Sequence, residues 1–250
     1  MKYKFVAFHT MMRGAGKPGY VVNCAKALAD AGVNVLVLDA VMYEQGAIAH
    51  QFFEILGATP VIENGKNLYD LIHDYEALCL DSSAPPSEAE AEPLPLANHL
   101  EYPESSCFRG YRYPDVCSRT TRLPDLPLIS FLPGNNGRVV DVRERIDFHE
   151  LHENRSGHQF FEYVKAALSE QFDVVLINAP AGHQEISGIL CGQIADLILA
   201  IDLDSPVLEP DASFEACRQL AQRVHEEGRR RIEVKSVKGH SLSEVVEMMM

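Results

Sequence analysis

Three short runs of almost unbroken apolar residues set the fold class of this chain: Val33 to Asp39, Phe172 to Asn178 and Ala195 to Ile201. Each is short for a buried helix, and none alternates between apolar and polar positions. Strands that are apolar throughout are covered on both faces, as in parallel sheets sandwiched between helices. Tyr3 to Phe8, Leu126 to Leu132 and Arg231 to Val237 read as further strands. Tyr20 to Ala31 has helical spacing through Val21, Val22, Cys24, Ala25, Leu28 and Ala29, with Gly32 at the C-cap place. Residues 47–57, 67–80, 157–170 and 210–227 also read as helices, as do the shorter Asp147 to Leu151 and the stretch after Gly182. Ser241 with Glu244 makes a capping box that opens a last helix reaching Met250. This alternation predicts an α/β fold, a doubly wound, mostly parallel sheet flanked by helices. The 250 residues suit one such domain over 1–250, and a hydrophobic share of 46% is enough to fill its core.

The first strand runs into a glycine-containing loop, Thr10-Met11-Met12-Arg13-Gly14-Ala15-Gly16-Lys17-Pro18-Gly19, and then into the first long helix. A phosphate-binding loop needs glycines so that backbone N–H groups can turn onto phosphate oxygens. It needs a lysine for the terminal phosphates and a helix start that favours anions. Gly14, Gly16 and Lys17 meet these needs. The strict pattern G-x-x-x-x-G-K-S/T fails twice: Met11 stands at its first glycine and Pro18 at its hydroxyl position.

Around that loop, the order of segments resembles the ParA/MinD family of P-loop ATPases, most closely its branch with a KGGVGR-type loop. Asn23-Cys24-Ala25 matches the N-x-A element of the first helix. Val35 to Asp39, followed by Gly46, matches the strand ending in D-x-D. Ile146-Asp147-Phe148, Glu153-Asn154, Gly157 and Phe172 to Asn178 follow the family's aromatic-acidic helix, glycine and Y-D-x-V-L-I-D strand. Ser187 to Leu190 and Ala195 to Ile198 match its S-G-I-C and P-D-V-L segments. The resemblance covers residues 3–80 and 126–240.

It implies an ATP or ADP site built from Arg13, Gly14, Ala15, Gly16, Lys17, Pro18 and Gly19, in a protein that works as a dimer. It also implies losses. Met12 replaces the lysine that reaches across the dimer, with Arg13 next to it as a possible substitute charge. Pro18 removes the hydroxyl that binds magnesium, although proline suits a first helical turn. Asn178 replaces the aspartate that supports the metal through water, and Val41 the second aspartate of D-x-D, which positions the attacking water. Asp39 remains as the candidate catalytic side chain, and Asp39 with Asn178 as candidate metal contacts. Magnesium binding is therefore in doubt, and efficient hydrolysis, which depends on metal, positioned water and fixed positive charge, is not expected.

Other features qualify this picture. The formal net charge of −14 argues against broad nucleic-acid binding and against docking on anionic membranes. Arg229, Arg230 and Arg231 form a local basic run, read here as a solvated helix end. Residues 81–125 read as an insertion that is either flexible or partner-binding. Its first half is rich in Ser, Pro, Ala and Glu, and its second half carries Tyr102, Phe108, Tyr111 and Tyr113. Cys24 and Cys191 read as core thiols, Cys107 and Cys117 as loop cysteines, and no zinc spacing links them with Cys79 or Cys217. His149, His152, His158 and His183 read as surface histidines. Without a signal peptide or an apolar run of membrane length, the expected location is cytoplasmic.

Two functions compete. One is a catalytically impaired regulatory or scaffold subunit that acts by pairing with itself or with another protein. The other is a slow ATP-dependent dimerising switch completed by a partner. A DNA-partitioning ATPase is disfavoured by the charge.

Overall fold

The computed structural model describes residues 1–43, 47–57, 67–81, 119–123, 126–135, 145–154, 157–182, 184–202 and 211–250. Among the described residues, the apolar runs lie side by side in one seven-stranded sheet. The strands are β1 (Phe5–His9), β2 (Val35–Asp39), β3 (Thr121–Leu123), β4 (Leu126–Leu132), β5 (Val174–Asn178), β6 (Leu197–Ala200) and β7 (Glu233–Ser236). Their order across the sheet is β3-β4-β2-β5-β1-β6-β7. All pair in parallel except β3, which runs antiparallel to β4 at one edge. Thr121 to Leu123 were expected inside the 81–125 insertion. Three residues carry too little pattern to announce a strand, and pairing with β4 defines it. Residues 82–118, with their aromatics and with Cys107 and Cys117, lie outside the described residues.

Alternation along each central strand divides the core into two layers. Val6, Phe8, Val35, Val37, Val174, Leu176, Leu197 and Leu199 face α1 (Lys17–Asp30), α2 (Ala47–Leu56) and α8 (Leu242–Met249). Phe5, Ala7, Leu36, Leu38, Val175, Ile177, Ile198 and Ala200 face the other layer. There the cover comes from α3 (Leu68–Asp81), α4 (Phe148–Asn154), α5 (Gly157–Gln171), α6 (Glu185–Ile189) and α7 (Ala212–Glu226). Burial on both faces is why these strands read as continuous apolar runs. The edge strand β7 is half-buried and carries Glu233 and Lys235, charges that discourage pairing with another sheet.

The strands begin later than the apolar runs do. Phe172 N–H still donates to Leu168 O at 3.1 Å, closing α5, and Asp173 N–H reaches Asn34 O at 2.9 Å before β5 starts. α6 continues into a single π-helical turn, Leu190–Ile194, packed on α7. The capping box at Ser241 and Glu244 is present. The basic run is not a uniformly solvated helix end. Arg229 and Arg231 are exposed, but Arg230 is half-buried and donates to Ala195 O and to Asp196 Oδ1, the latter at 3.5 Å.

Candidate functional site

The carboxyl ends of β1, β2 and β5 converge beneath the first loop. Topology alone favours this edge, because the connections on either side of β1 leave to different faces of the sheet and open a crevice at the strand ends. β1 delivers His9 and then the loop. Met11 N–H is held by Ser213 Oγ of α7 at 3.0 Å, and Met12 N–H by Thr10 Oγ1 at 3.3 Å. These bonds moor the start of the loop to the scaffold. Gly14 (φ 80°) and Gly16 (φ 68°) are both left-handed, and a Cβ at either would point into open space. Backbone conformation, not crowding, thus requires glycine at these two positions. Gly16 is also the N-cap of α1, and no side chain caps that end. Among the described residues, the N–H groups of Gly14, Ala15 and Gly16 make no hydrogen bond. Successive unpaired N–H groups at a helix start form an anion cradle.

A cavity of about 370 Å³ opens here, lined by the loop from Met12 to Gly19 and by Thr10, Val41, Gln51, Asn178, Pro180 and Ala181. All seven binding residues expected from the sequence line it. Lys17 is buried and donates from Nζ to Ala179 O, just past the end of β5. Pro18 forms wall only, because it has neither hydroxyl nor N–H to offer. Arg13 is exposed at the mouth.

Asp39 and Asn178 are register partners across β2 and β5. Asn178 Nδ2 donates to Asp39 Oδ1 at 2.8 Å, and Val41 N–H reaches the same oxygen at 3.2 Å. Charge fixes the amide orientation: its nitrogen must face the carboxylate, since an amide oxygen there would meet another acceptor. Asn178 Oδ1 is then buried without a hydrogen-bond partner. Asn178 lines the cavity and Asp39 does not.

The arrangement suits a phosphate group, with glycine N–H donors, an uncapped helix start, Lys17 and Arg13. It does not suit a magnesium ion. A hard divalent cation wants oxygen ligands, carboxylates first among them. Among the described residues no carboxylate lines the cavity, and none forms a three-residue cluster able to hold a metal.

Two parts of the site have no clear sequence signal. Gln51 reaches the cavity from α2, and its side chain lies 3.2 Å from where a Cβ on Gly19 would stand. His9 supports the site from behind. Its Nε2–H donates to Gly182 O at 3.1 Å, because a carbonyl only accepts. Nδ1 is therefore the acceptor for the Cys217 thiol at 3.5 Å. Burial pushes the Cys217 thiol up, and the Cys191 thiol up to about 12. Both stay protonated at neutral pH and act as core groups, as does buried Cys24. His149 and His158 are exposed. The side chain of His152 and all of His183 lie outside the described residues.

No family model matches the chain, and no curated protein does. Solved structures do match. One is apo McdA from Cyanothece, at 17% identity over 98% of this chain and 80% of that one, with a TM-score of 0.59. Another is an ATP complex of a Cyanothece McdA variant, at 16% identity over 99% and 78%, also with a TM-score of 0.59. A third is cobyrinic acid a,c-diamide synthase from Mycobacterium smegmatis with a bound ATP analogue and magnesium, at 14% identity over 98% and 80%, with a TM-score of 0.55. The fold is that of the ParA/MinD-like P-loop NTPases. Identities this low establish the fold alone. In this ParA/MinD-like fold the loop, Lys17 and the Asp39–Asn178 pair all stand at the carboxyl edge of the sheet. Among the described residues, no helix is long and apolar enough to cross a membrane.

Proposed function

We propose that this chain is a ParA/MinD-like protein with a degenerate Walker A loop of the KGGVGR-type branch. On this reading it binds ATP or ADP through Arg13 to Gly19 and has little capacity to hydrolyse it. It serves as a regulatory or scaffold subunit, pairing with a second copy or with another protein in the cytoplasm. The observation that carries this reading is the lining of the cavity. Lys17 and the glycine N–H groups are in place, while Val41, Pro18 and Asn178 stand where water, metal hydroxyl and metal carboxylate chemistry would be needed. Hydrolysis depends on those contributions far more than binding does. Two structures of similar fold contain ATP or an ATP analogue, which supports nucleotide as the ligand class. The 1–250 chain acts as one domain, and the 81–125 insertion, apart from strand β3 (Thr121–Leu123), is either flexible or partner-binding.

The test is calorimetry of ATP and ADP binding, followed by a turnover assay on the same preparation. Binding with negligible turnover is expected. Lys17→Ala should weaken binding by about 100-fold, roughly 3 kcal/mol, the scale of a buried charge-assisted contact to phosphate. Turnover at about 1 per second or faster, ordinary for phosphoryl-transfer enzymes, would overturn the impaired-enzyme reading.

A second reading is a slow dimerising switch whose missing groups come from a partner. The retained Asp39 and the open, Arg13-bearing mouth favour it. Sedimentation with and without ATP separates the two, since a scaffold pairs regardless of nucleotide and a switch does not.

A further inference from the structure

We propose that the cavity binds nucleotide phosphates without a divalent cation, with Lys17 and Arg13 supplying the positive charge that magnesium would otherwise bring. This rests on the nucleotide-binding reading above and adds its ionic form. The first ground is the charge of the lining. In a chain of net charge −14, the described lining of this cavity holds two cationic side chains and no carboxylate. A pocket of that polarity attracts a bare polyanion more strongly than one half-neutralised by a metal.

The second ground is the state of the groups that a metal would need. Asp39 is the carboxylate paired with Asn178 across β2 and β5, and its Oδ1 is already held by the Asn178 amide and the Val41 N–H. It is 2% exposed and does not line the cavity. Pro18 opens α1 without a hydroxyl.

The third ground is Asn178 Oδ1. Its partner nitrogen is locked onto Asp39, so this oxygen is the atom the residue has left to offer a ligand. A buried acceptor without a partner is destabilising, so a donor entering beside it is favoured. A water or a protonated phosphate oxygen provides such a donor. As a neutral amide, Asn178 contributes no charge to hold magnesium, a cation that gives up its hydration shell reluctantly.

The experiment is calorimetric titration of the full chain with ATP and with ADP, once in excess magnesium and once in EDTA. Affinity in EDTA equal to that in magnesium within about threefold, or tighter, supports the proposal. Binding more than about threefold tighter in magnesium overturns it. No binding in either buffer overturns the nucleotide reading itself, and this proposal with it. The converse test restores metal ligands with Pro18→Thr alone and with Pro18→Thr plus Asn178→Asp. The second variant sets two carboxylates side by side and is at risk of misfolding, so the unmodified chain decides. In variants that fold, gain of magnesium dependence is expected, and its absence counts against the proposal.

Discussion

The two ends of the sheet are built on opposite principles. At the amino end, polar groups are gathered onto one carboxylate. Asp196 Oδ2 accepts from the N–H groups of Lys4 at 3.2 Å and Phe5 at 3.0 Å. Its Oδ1 pairs with Lys165 at 3.3 Å and Arg230 at 3.5 Å. Burial lowers the pKa of both cations, and the shared carboxylate opposes that shift. Arg230 Nε and, just before β2, Asn34 Oδ1 are left over, but other polar atoms of both side chains are bound. At the carboxyl end, the N–H groups of Gly14, Ala15 and Gly16 and the oxygen of Asn178 are left unpaired within the described residues. Capacity withheld from internal bonds is capacity available to a ligand. The amino end ties β1 to β6 and α5, and the carboxyl end keeps unpaired donors on residues that line the cavity.

This contrast predicts effects of different kind and size. The largest is expected from Gly134→Ala, in the turn after β4. A Cβ at Gly134 would stand 2.6 Å from Val41 O and 2.9 Å from Asp39 O, both backbone atoms. The same turn accepts Leu68 N–H at Pro133 O and Tyr69 N–H at Gly134 O, so it has little room to move. A loss of about 3 kcal/mol is expected by denaturant unfolding, with nucleotide affinity falling too, because Val41 lines the cavity. An unchanged unfolding midpoint would show that this close approach is relieved elsewhere.

Asp196→Ala should cost less, about 2 kcal/mol, because the cluster is partly exposed. It should leave nucleotide affinity within about twofold, since it lies at the far end of the strands. An equal loss of affinity would remove the division of labour between the two ends.

The smallest effect concerns Glu233 on β7. The Tyr3 hydroxyl, followed by Lys2, holds its carboxyl down at about 2. A depressed carboxyl contributes stability above its ordinary range near 4.5, and loses it as pH falls from there toward 2. Because the group is largely solvated, the contribution is a few tenths of a kcal/mol. Thermal midpoints of the wild type and of Tyr3→Phe should differ slightly at about pH 6 and converge near pH 2, the folded-state pKa. A gap that persists at pH 2 would assign the difference to packing instead.

Much of this molecule was legible in its residues. The continuous apolar runs gave a parallel, doubly covered sheet, because burial on both faces erases alternation. Gly14, Gly16 and Lys17 marked the loop, because positive φ and a phosphate charge each demand particular residue types. Strand β3 was not legible, since three residues hold no period. Nor was the role of Arg230, which reads as one basic residue among three until folding brings Asp196 and Ala195 alongside. Gln51, His9 and Cys217 were silent for the same reason: each joins the site through neighbours distant in the chain.

Local chemistry, then, is what the sequence by itself determined: which segments must be buried, where the backbone must turn, and which side chains lack a hydroxyl or a carboxylate. Only the tertiary structure decided which of those groups spend their hydrogen bonds on one another. The Asn178 amide is committed to Asp39 because β2 and β5 lie side by side in register, and pairing between strands is a property of space rather than of order along the chain.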